Sequence, residues 1–143
     1  MVQFEMLHPK ARLPARATAD STGFDAVSVE DVLIPPGQVK LIPLGFRSAF
    51  DGTIDAQIRS RSGLALKYQV VVLNSPGTID PDYRGEWKVL LMNHGEAPYQ
   101  VYAGDRVAQI VLAPSYTHNQ IVVTEAPVSE TARSSGGFGS TGS

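Results

Sequence analysis

The chain has 143 residues, 14 acidic and 12 basic, for a formal charge of −2, so it carries no global basic field. That excludes a non-specific grip on nucleic acid, which rests on many Lys and Arg contacts to phosphate. Without Cys there is no disulfide or thiolate metal site, and His8, His94 and His118 are too scattered to share one metal.

At this length a single domain is expected, large enough to bury roughly 68–70% of its unfolded surface. Met1-Val2-Gln3-Phe4-Glu5-Met6 lacks the basic region and apolar stretch of a secretory signal. No apolar run approaches the ~20 residues that span a bilayer. The expectation is a cytoplasmic protein, or one of another reducing compartment, with neither membrane nor nucleic acid as partner.

Ser21-Thr22-Gly23-Phe24-Asp25 reads as a turn-like segment whose acid is ordinary surface or capping chemistry. After the turn signal Pro35-Pro36-Gly37, residues 39–50 are rich in β-formers, and Asp51-Gly52 marks the next turn. Residues 54–59 alternate cleanly, Ile54, Ala56 and Ile58 on one face and Asp55, Gln57 and Arg59 on the other. Residues 62–69 are the one segment that reads as helix. At its start, Ser62 and Gly63 can present a hydroxyl and free N–H groups to an anion, and Arg61 can engage phosphate bidentately. A plain helix start with solvated arginines fits the same residues.

Two apolar runs, Val70-Val71-Val72-Leu73 and Val89-Leu90-Leu91-Met92, read as buried strands. Between them lies a loop longer than a hairpin needs, Asn74-Ser75-Pro76-Gly77-Thr78-Ile79-Asp80-Pro81-Asp82-Tyr83-Arg84-Gly85-Glu86. Overlong loops on a rigid β scaffold are where binding and catalytic groups concentrate. Its two acids suit turn chemistry or glycosidic acid/base work, although a chain with one Trp is poor in the aromatics of a glycan cleft. Beyond the turn Asn93-His94-Gly95, strands are expected over residues 99–102, 107–113 and 121–124, with Ala103-Gly104-Asp105 as a turn. Many short strands with regular turns predict an all-β sandwich or jelly-roll barrel.

From residue 128 the composition turns to Gly, Ser and Thr, which cannot build a core and is expected to be mobile unless held. The division expected is therefore a β domain over residues 1–127 and an arm over 128–143. Gly137-Phe138-Gly139-Ser140-Thr141-Gly142 matches G-x-G-x-x-G, but no strand precedes it and no helix follows, so it is no dinucleotide loop. Its unhindered backbone N–H groups can still form a nest for phosphate.

Taken in order, Thr22-Gly23-Phe24-Asp25, Arg61-Ser62-Gly63-Leu64-Ala65, Gly77 through Glu86, Gly104-Asp105-Arg106-Val107-Ala108-Gln109 and Arg133 through Gly142 resemble the five motifs of the trimeric dUTP pyrophosphatases (dUTPases). The resemblance runs from about Leu13 to the carboxyl end. It implies a distorted jelly-roll, a homotrimer with shared sites, and hydrolysis of dUTP to dUMP and pyrophosphate by water attack on the α-phosphorus. Such a reaction limits uracil incorporation into DNA and supplies dUMP for thymidylate synthesis.

By the same resemblance Asp80 is the general base, and a carboxylate there can accept a proton transiently. Positioning and charge neutralisation supply most of the acceleration in such chemistry. Arg61, Ser62, Gly63, Gln109, Arg133, Ser140 and Thr141 bind the phosphates. Asn74 with the backbone of Gly77, Thr78 and Ile79 reads uracil, and Tyr83 packs beneath the deoxyribose. Phe138, with Gly139 beside it, stacks on the base, worth roughly 1–3 kcal/mol. The arm closes as a lid. Mg2+ is the implied cofactor, held mainly by the triphosphate with Asp25 reaching it through water.

The chain departs from the usual pattern at Ser60 (commonly Pro), Ser134 (commonly Gly) and Ala26 (commonly Leu). Two rivals remain: a dCTP deaminase, which shares the fold without using a Phe-containing arm, and a silent β domain that binds nucleotide or a partner protein.

Overall fold

The computed structural model describes residues 2–116 together with 129 and 131. The arm residues Arg133, Phe138, Gly139, Ser140 and Thr141, and the strand expected over 121–124, lie outside the described residues. Among the described residues, eleven strands and one short helix follow one another as β1 (Val2–Met6), β2 (Phe24–Val27), β3 (Val32–Ile34), β4 (Val39–Pro43), β5 (Phe46–Phe50), β6 (Ile54–Arg59), α1 (Ser62–Tyr68), β7 (Val70–Val72), β8 (Gly77–Ile79), β9 (Lys88–Asn93), β10 (Tyr99–Val101) and β11 (Arg106–Pro114).

These strands form four open sheets in the orders β1-β5, β10-β3, β2-β11-β6-β8 and β4-β9-β7, with neighbouring strands antiparallel throughout. None closes on itself among the described residues, so the architecture is a layered sandwich rather than a closed barrel.

The stretch 39–50 is two strands rather than one. Gly45 breaks it with φ of +72° between Pro43 and Phe46, a conformation that suits Gly because no Cβ is present. The alternation of β6 holds: Ala56 and Ile58 are buried, while Arg59 is exposed. The helix stops where Gln69 turns left-handed at φ of 54°, its N–H donating to Ala65 O. The segment ending in Phe24 and Asp25 is a strand, β2, paired through Asp25 with Gln109 of β11. Turn-formers in Ser21-Thr22-Gly23 masked a β-run of four residues.

Trp87 and Phe46 are the largest fully buried side chains, and with Phe4 they make an aromatic cluster with ring centroids 5.3–5.8 Å apart. Aromatic pairs in such tilted or edge-on packing add to the area they bury. Trp87 also ties its backbone to its neighbours, its N–H donating to Phe46 O at 2.9 Å and its carbonyl accepting from Leu44 N–H at 3.0 Å. The carboxyl end of the long loop is thereby fixed to the core. Its other end follows β7, which pairs with β9. Both ends of the loop are therefore rigid.

Candidate active site

The long loop is not a plain hairpin connection. Residues Gly77–Ile79 form β8, which leaves the β7–β9 sheet and pairs with Ala56, Gln57 and Ile58 of β6 in another sheet. A three-residue run of Gly-Thr-Ile inside turn chemistry gave no strand signal on its own; tertiary pairing made it one.

Around β8 a cavity of about 390 Å3 is lined by Asn74, Gly77, Thr78, Ile79, Asp80 and Tyr83, with Ile58, Leu90, Glu86 and Lys88 among the remaining wall residues. Six of the residues proposed from sequence thus meet at one place. Gly77 is buried, and a Cβ built on it would come within 3.0 Å of the Asn74 amide nitrogen, so the missing side chain lets that amide fold over the strand. Asp80 follows β8 directly, is exposed, and begins a tight turn in which Tyr83 N–H donates to Asp80 O at 3.1 Å. Pro81 stands at the second position of that turn, where its fixed φ is favoured. The turn carries the carboxylate and the phenol on either side of one four-residue loop. Among the described residues the Asp80 carboxylate has no hydrogen bond or ion pair.

Tyr83, 43% exposed, donates its hydroxyl to Glu86 O at 3.2 Å and lies against Gly85. Glu86 in turn accepts from Gly45 N–H at 3.1 Å and pairs with Lys88 at 3.6 Å. Sequence reasoning passed over Gly85 and Glu86. Neither carries a chemical signal beyond a turn Gly and a surface acid, and their contribution is to hold Tyr83.

A second, polar cavity of about 330 Å3 is lined by Asp25, Arg61, Ser62, Gly63 and Gln109, with Thr22 and Gly23 beside them. Here four of the phosphate-binding residues named from sequence meet the acid of β2. Arg61 donates Nη1 to Arg106 O at 2.7 Å, and its Nε faces Asp25 Oδ1 at 3.8 Å. Arg106 Nη1 reaches Asp25 Oδ2 at 3.4 Å. Asp25 therefore sits between two guanidinium groups, with its side chain 23% exposed. Arg106 belongs to a motif quoted from sequence but had no role of its own there; only the pairing of β2 with β11 brings it to the acid. Among the described residues no side chain caps α1, and its first turn holds no acid, so the first N–H groups at Ser62 and Gly63 lack intrahelical partners. Gln109 donates Nε2 to Ser60 O at 2.9 Å, and its side chain passes so close to Gly23 that a Cβ there would sit 2.5 Å from Oε1.

The two cavities share no lining residue. Gln109 pairs with both Asp25 and Arg59, so these three project to one face of the β2-β11-β6-β8 sheet. Ile58, paired with Gly77, projects to the other. The two groups also sit toward opposite edges, β2 and β8, about 14 Å apart at ~4.8 Å per strand.

No group of three or more His, Asp or Glu able to hold a metal occurs among the described residues. One partly exposed carboxylate between arginines fits a hard cation that keeps its waters and binds mainly to phosphate, and it does not fit an all-protein cage. No helix among the described residues is long and apolar enough to cross a membrane.

The dUTPase family model matches residues 9–142. A deoxyuridine 5'-triphosphate nucleotidohydrolase of Nautilia profundicola is 47% identical over 141 residues, covering 99% of this chain and 98% of the relative. Its counterpart in Helicobacter pylori (strain Shi470) is 45% identical over 141 residues, covering 99% and 96%. Among solved structures, the dUTPase of Staphylococcus bacteriophage 80alpha with dUPNHPP is similar at a TM-score of 0.91 over 100% of this chain and 99% of that one, at 25% identity. A dUTPase from phage phi11 of S. aureus, described with a structural Mg(II) ion, shares the fold at a TM-score of 0.81 and 23% identity, covering 88% and 97%.

Proposed function

This chain belongs to the dUTPase family, and on that premise we propose that it hydrolyses dUTP to dUMP and pyrophosphate, as a hydrolase of a phosphoric anhydride. The observation that carries the reading is the convergence of Asn74, Gly77, Thr78, Ile79, Asp80 and Tyr83 on one cavity, with no ion pair or hydrogen bond among the described residues drawing the Asp80 carboxylate away.

In this reading Asp80 takes a proton from water as the water oxygen bonds the α-phosphorus. The bond from that phosphorus to the bridging oxygen breaks, and pyrophosphate leaves with the electron pair. The Tyr83 ring, fixed through Glu86 O, lies beneath the deoxyribose and leaves no room for a 2′-hydroxyl. Asn74 and the backbone of Gly77, Thr78 and Ile79 read the uracil edge, where a rigid wall rejects the methyl of thymine more strongly than a yielding pocket could. Arg61, Ser62, Gly63 and Gln109 receive the phosphates, and charge-assisted contacts to them strengthen once water is excluded. Mg2+ carried by the triphosphate would neutralise charge there, with Asp25 holding it through water.

The separation of the two cavities supports a homotrimer in which neighbouring chains complete each site. It also gives residues 128–143 a task beyond the domain of residues 1–127: to close as an arm over substrate, with Arg133, Ser140 and Thr141 on the phosphates and Phe138 and Gly139 on the base. The work of such an enzyme is to limit uracil incorporation into DNA and to supply dUMP, in the cytoplasm or another reducing compartment.

The test is pyrophosphate release from dUTP, dCTP, dTTP and UTP, with and without Mg2+. Selective, Mg2+-stimulated hydrolysis of dUTP is expected. Deamination of dCTP, or no turnover of any of the four, would overturn the assignment.

A further inference from the structure

Ser60 lies between β6 and α1, outside both cavities, and yet touches the framework of each. Its hydroxyl oxygen accepts from Val72 N–H at 2.9 Å, and its carbonyl accepts from the Gln109 amide at 2.9 Å. The first bond answers a specific need. Among the described residues, strand β7 is an edge strand whose one partner is β9. Leu73 N–H donates to Leu90 O across that pair, so the N–H of Val72, one residue earlier, points away from β9. Val72 is 3% exposed, and a buried N–H directed off a sheet edge requires an acceptor. Ser60 Oγ supplies it. Two residues beyond Val72 stands Asn74, and immediately after Ser60 come Arg61 and Ser62.

We infer that Ser60 is a positioning residue for dUTP hydrolysis: its hydroxyl fixes the start of the base-reading loop, while its carbonyl orients Gln109 toward the phosphates. The inference rests on the function proposed above. It assigns a role to a residue that neither touches substrate nor bears a charge. Because Asp80 is held separately, by the pairing of β8 with β6 and by the Asp80–Tyr83 turn, loss of the hydroxyl falls on binding and base selection more than on the chemical step.

The experiment compares wild type, Ser60→Ala and Ser60→Thr by pyrophosphate release from dUTP and dTTP and by hydrogen exchange at the Val72 amide. For Ser60→Ala, KM for dUTP is expected to rise about tenfold, the scale of one lost hydrogen bond, with kcat changed by less than about threefold. The preference for dUTP over dTTP should shrink, exchange at Val72 should accelerate, and Ser60→Thr should restore all three. Unchanged KM and preference in Ser60→Ala, even with a lowered melting temperature, would reduce the residue to a structural role and overturn the inference. Equal protection of Val72 in wild type and Ser60→Ala would overturn it too. Failure of the function itself would look different: wild type would release no pyrophosphate from dUTP, while the exchange measurement would still decide whether the hydroxyl holds Val72.

Discussion

Gly85→Ala isolates the placement of Tyr83 from its presence. The backbone at Gly85 is not among the positive-φ glycines, so Ala meets no conformational penalty there. The conflict is with the ring: the new Cβ would stand 2.5 Å from Tyr83 Cζ and 2.9 Å from Cε2, and against the hydroxyl as well. Carbon atoms in contact prefer about 3.5–4.0 Å, so the ring must retreat by roughly 1 Å. Since Tyr83 is 43% exposed, it can do so without disturbing the core. The retreat breaks the hydroxyl bond to Glu86 O, worth ~0.5–1.5 kcal/mol, and moves a substrate-positioning group by a distance that costs about 10²-fold in rate. We expect kcat/KM for dUTP to fall by about 10²-fold, near 2.7 kcal/mol of transition-state stabilisation. The value for UTP should fall less, narrowing the discrimination between the two, and the melting temperature should stay within a few degrees. Steady-state pyrophosphate release from dUTP and UTP, with thermal unfolding as a control, reads all three. A folded Gly85→Ala protein with wild-type activity and undiminished rejection of UTP would refute the sugar-reading role of Tyr83.

Asp80→Ala should keep affinity for a non-hydrolysable dUTP analogue, measured calorimetrically, while losing about 10²–10⁴-fold in turnover, the usual span of a lost general base. Near-wild-type pyrophosphate release would remove the base assignment. Truncation before Arg133 should abolish turnover and leave the oligomer seen by sedimentation intact; an active truncated enzyme would eliminate the lid. Asp25→Asn should raise the Mg2+ concentration needed for half-maximal activity, because the charge that reaches the ion through water is gone. An unchanged Mg2+ titration would confine Asp25 to its pairing with Arg61 and Arg106.

The residues to which chemistry is assigned were named from the sequence; the residues that hold them in place were not. Asp80, Tyr83 and Asn74 stood out because acids, a phenol and an amide crowd a loop too long for its connection. Arg61 was named from its place at a helix start, and Gln109 only through a family pattern. Gly85, Glu86 and Arg106 were given no role, and Ser60 was noted only as a departure from the pattern, because what each does depends on its partners in the fold, such as Val72 for Ser60 and Asp25 for Arg106. The same division runs through the fold. Strand β6, with strict alternation, was read to the residue, because a period of two is visible locally. Strands β2 and β8 were missed, since each is only three or four residues long and owes its conformation to the strand beside it.

The placement of those two strands bears directly on how one nucleotide can be bound. β2 carries Asp25 to one edge and one face of the four-stranded sheet, and β8 carries Gly77, Thr78 and Ile79 to the opposite edge. A dUTP molecule whose base lies against β8 would have to pass around the sheet edge to place its phosphates between Arg61 and Gln109 of the same chain. A second copy of the chain that supplied the phosphate-binding half would remove that obstacle. The antiparallel order β2-β11-β6-β8 thus sets the two proposed half-sites apart within one chain, and in the assembly proposed above unlike halves of neighbouring copies would meet.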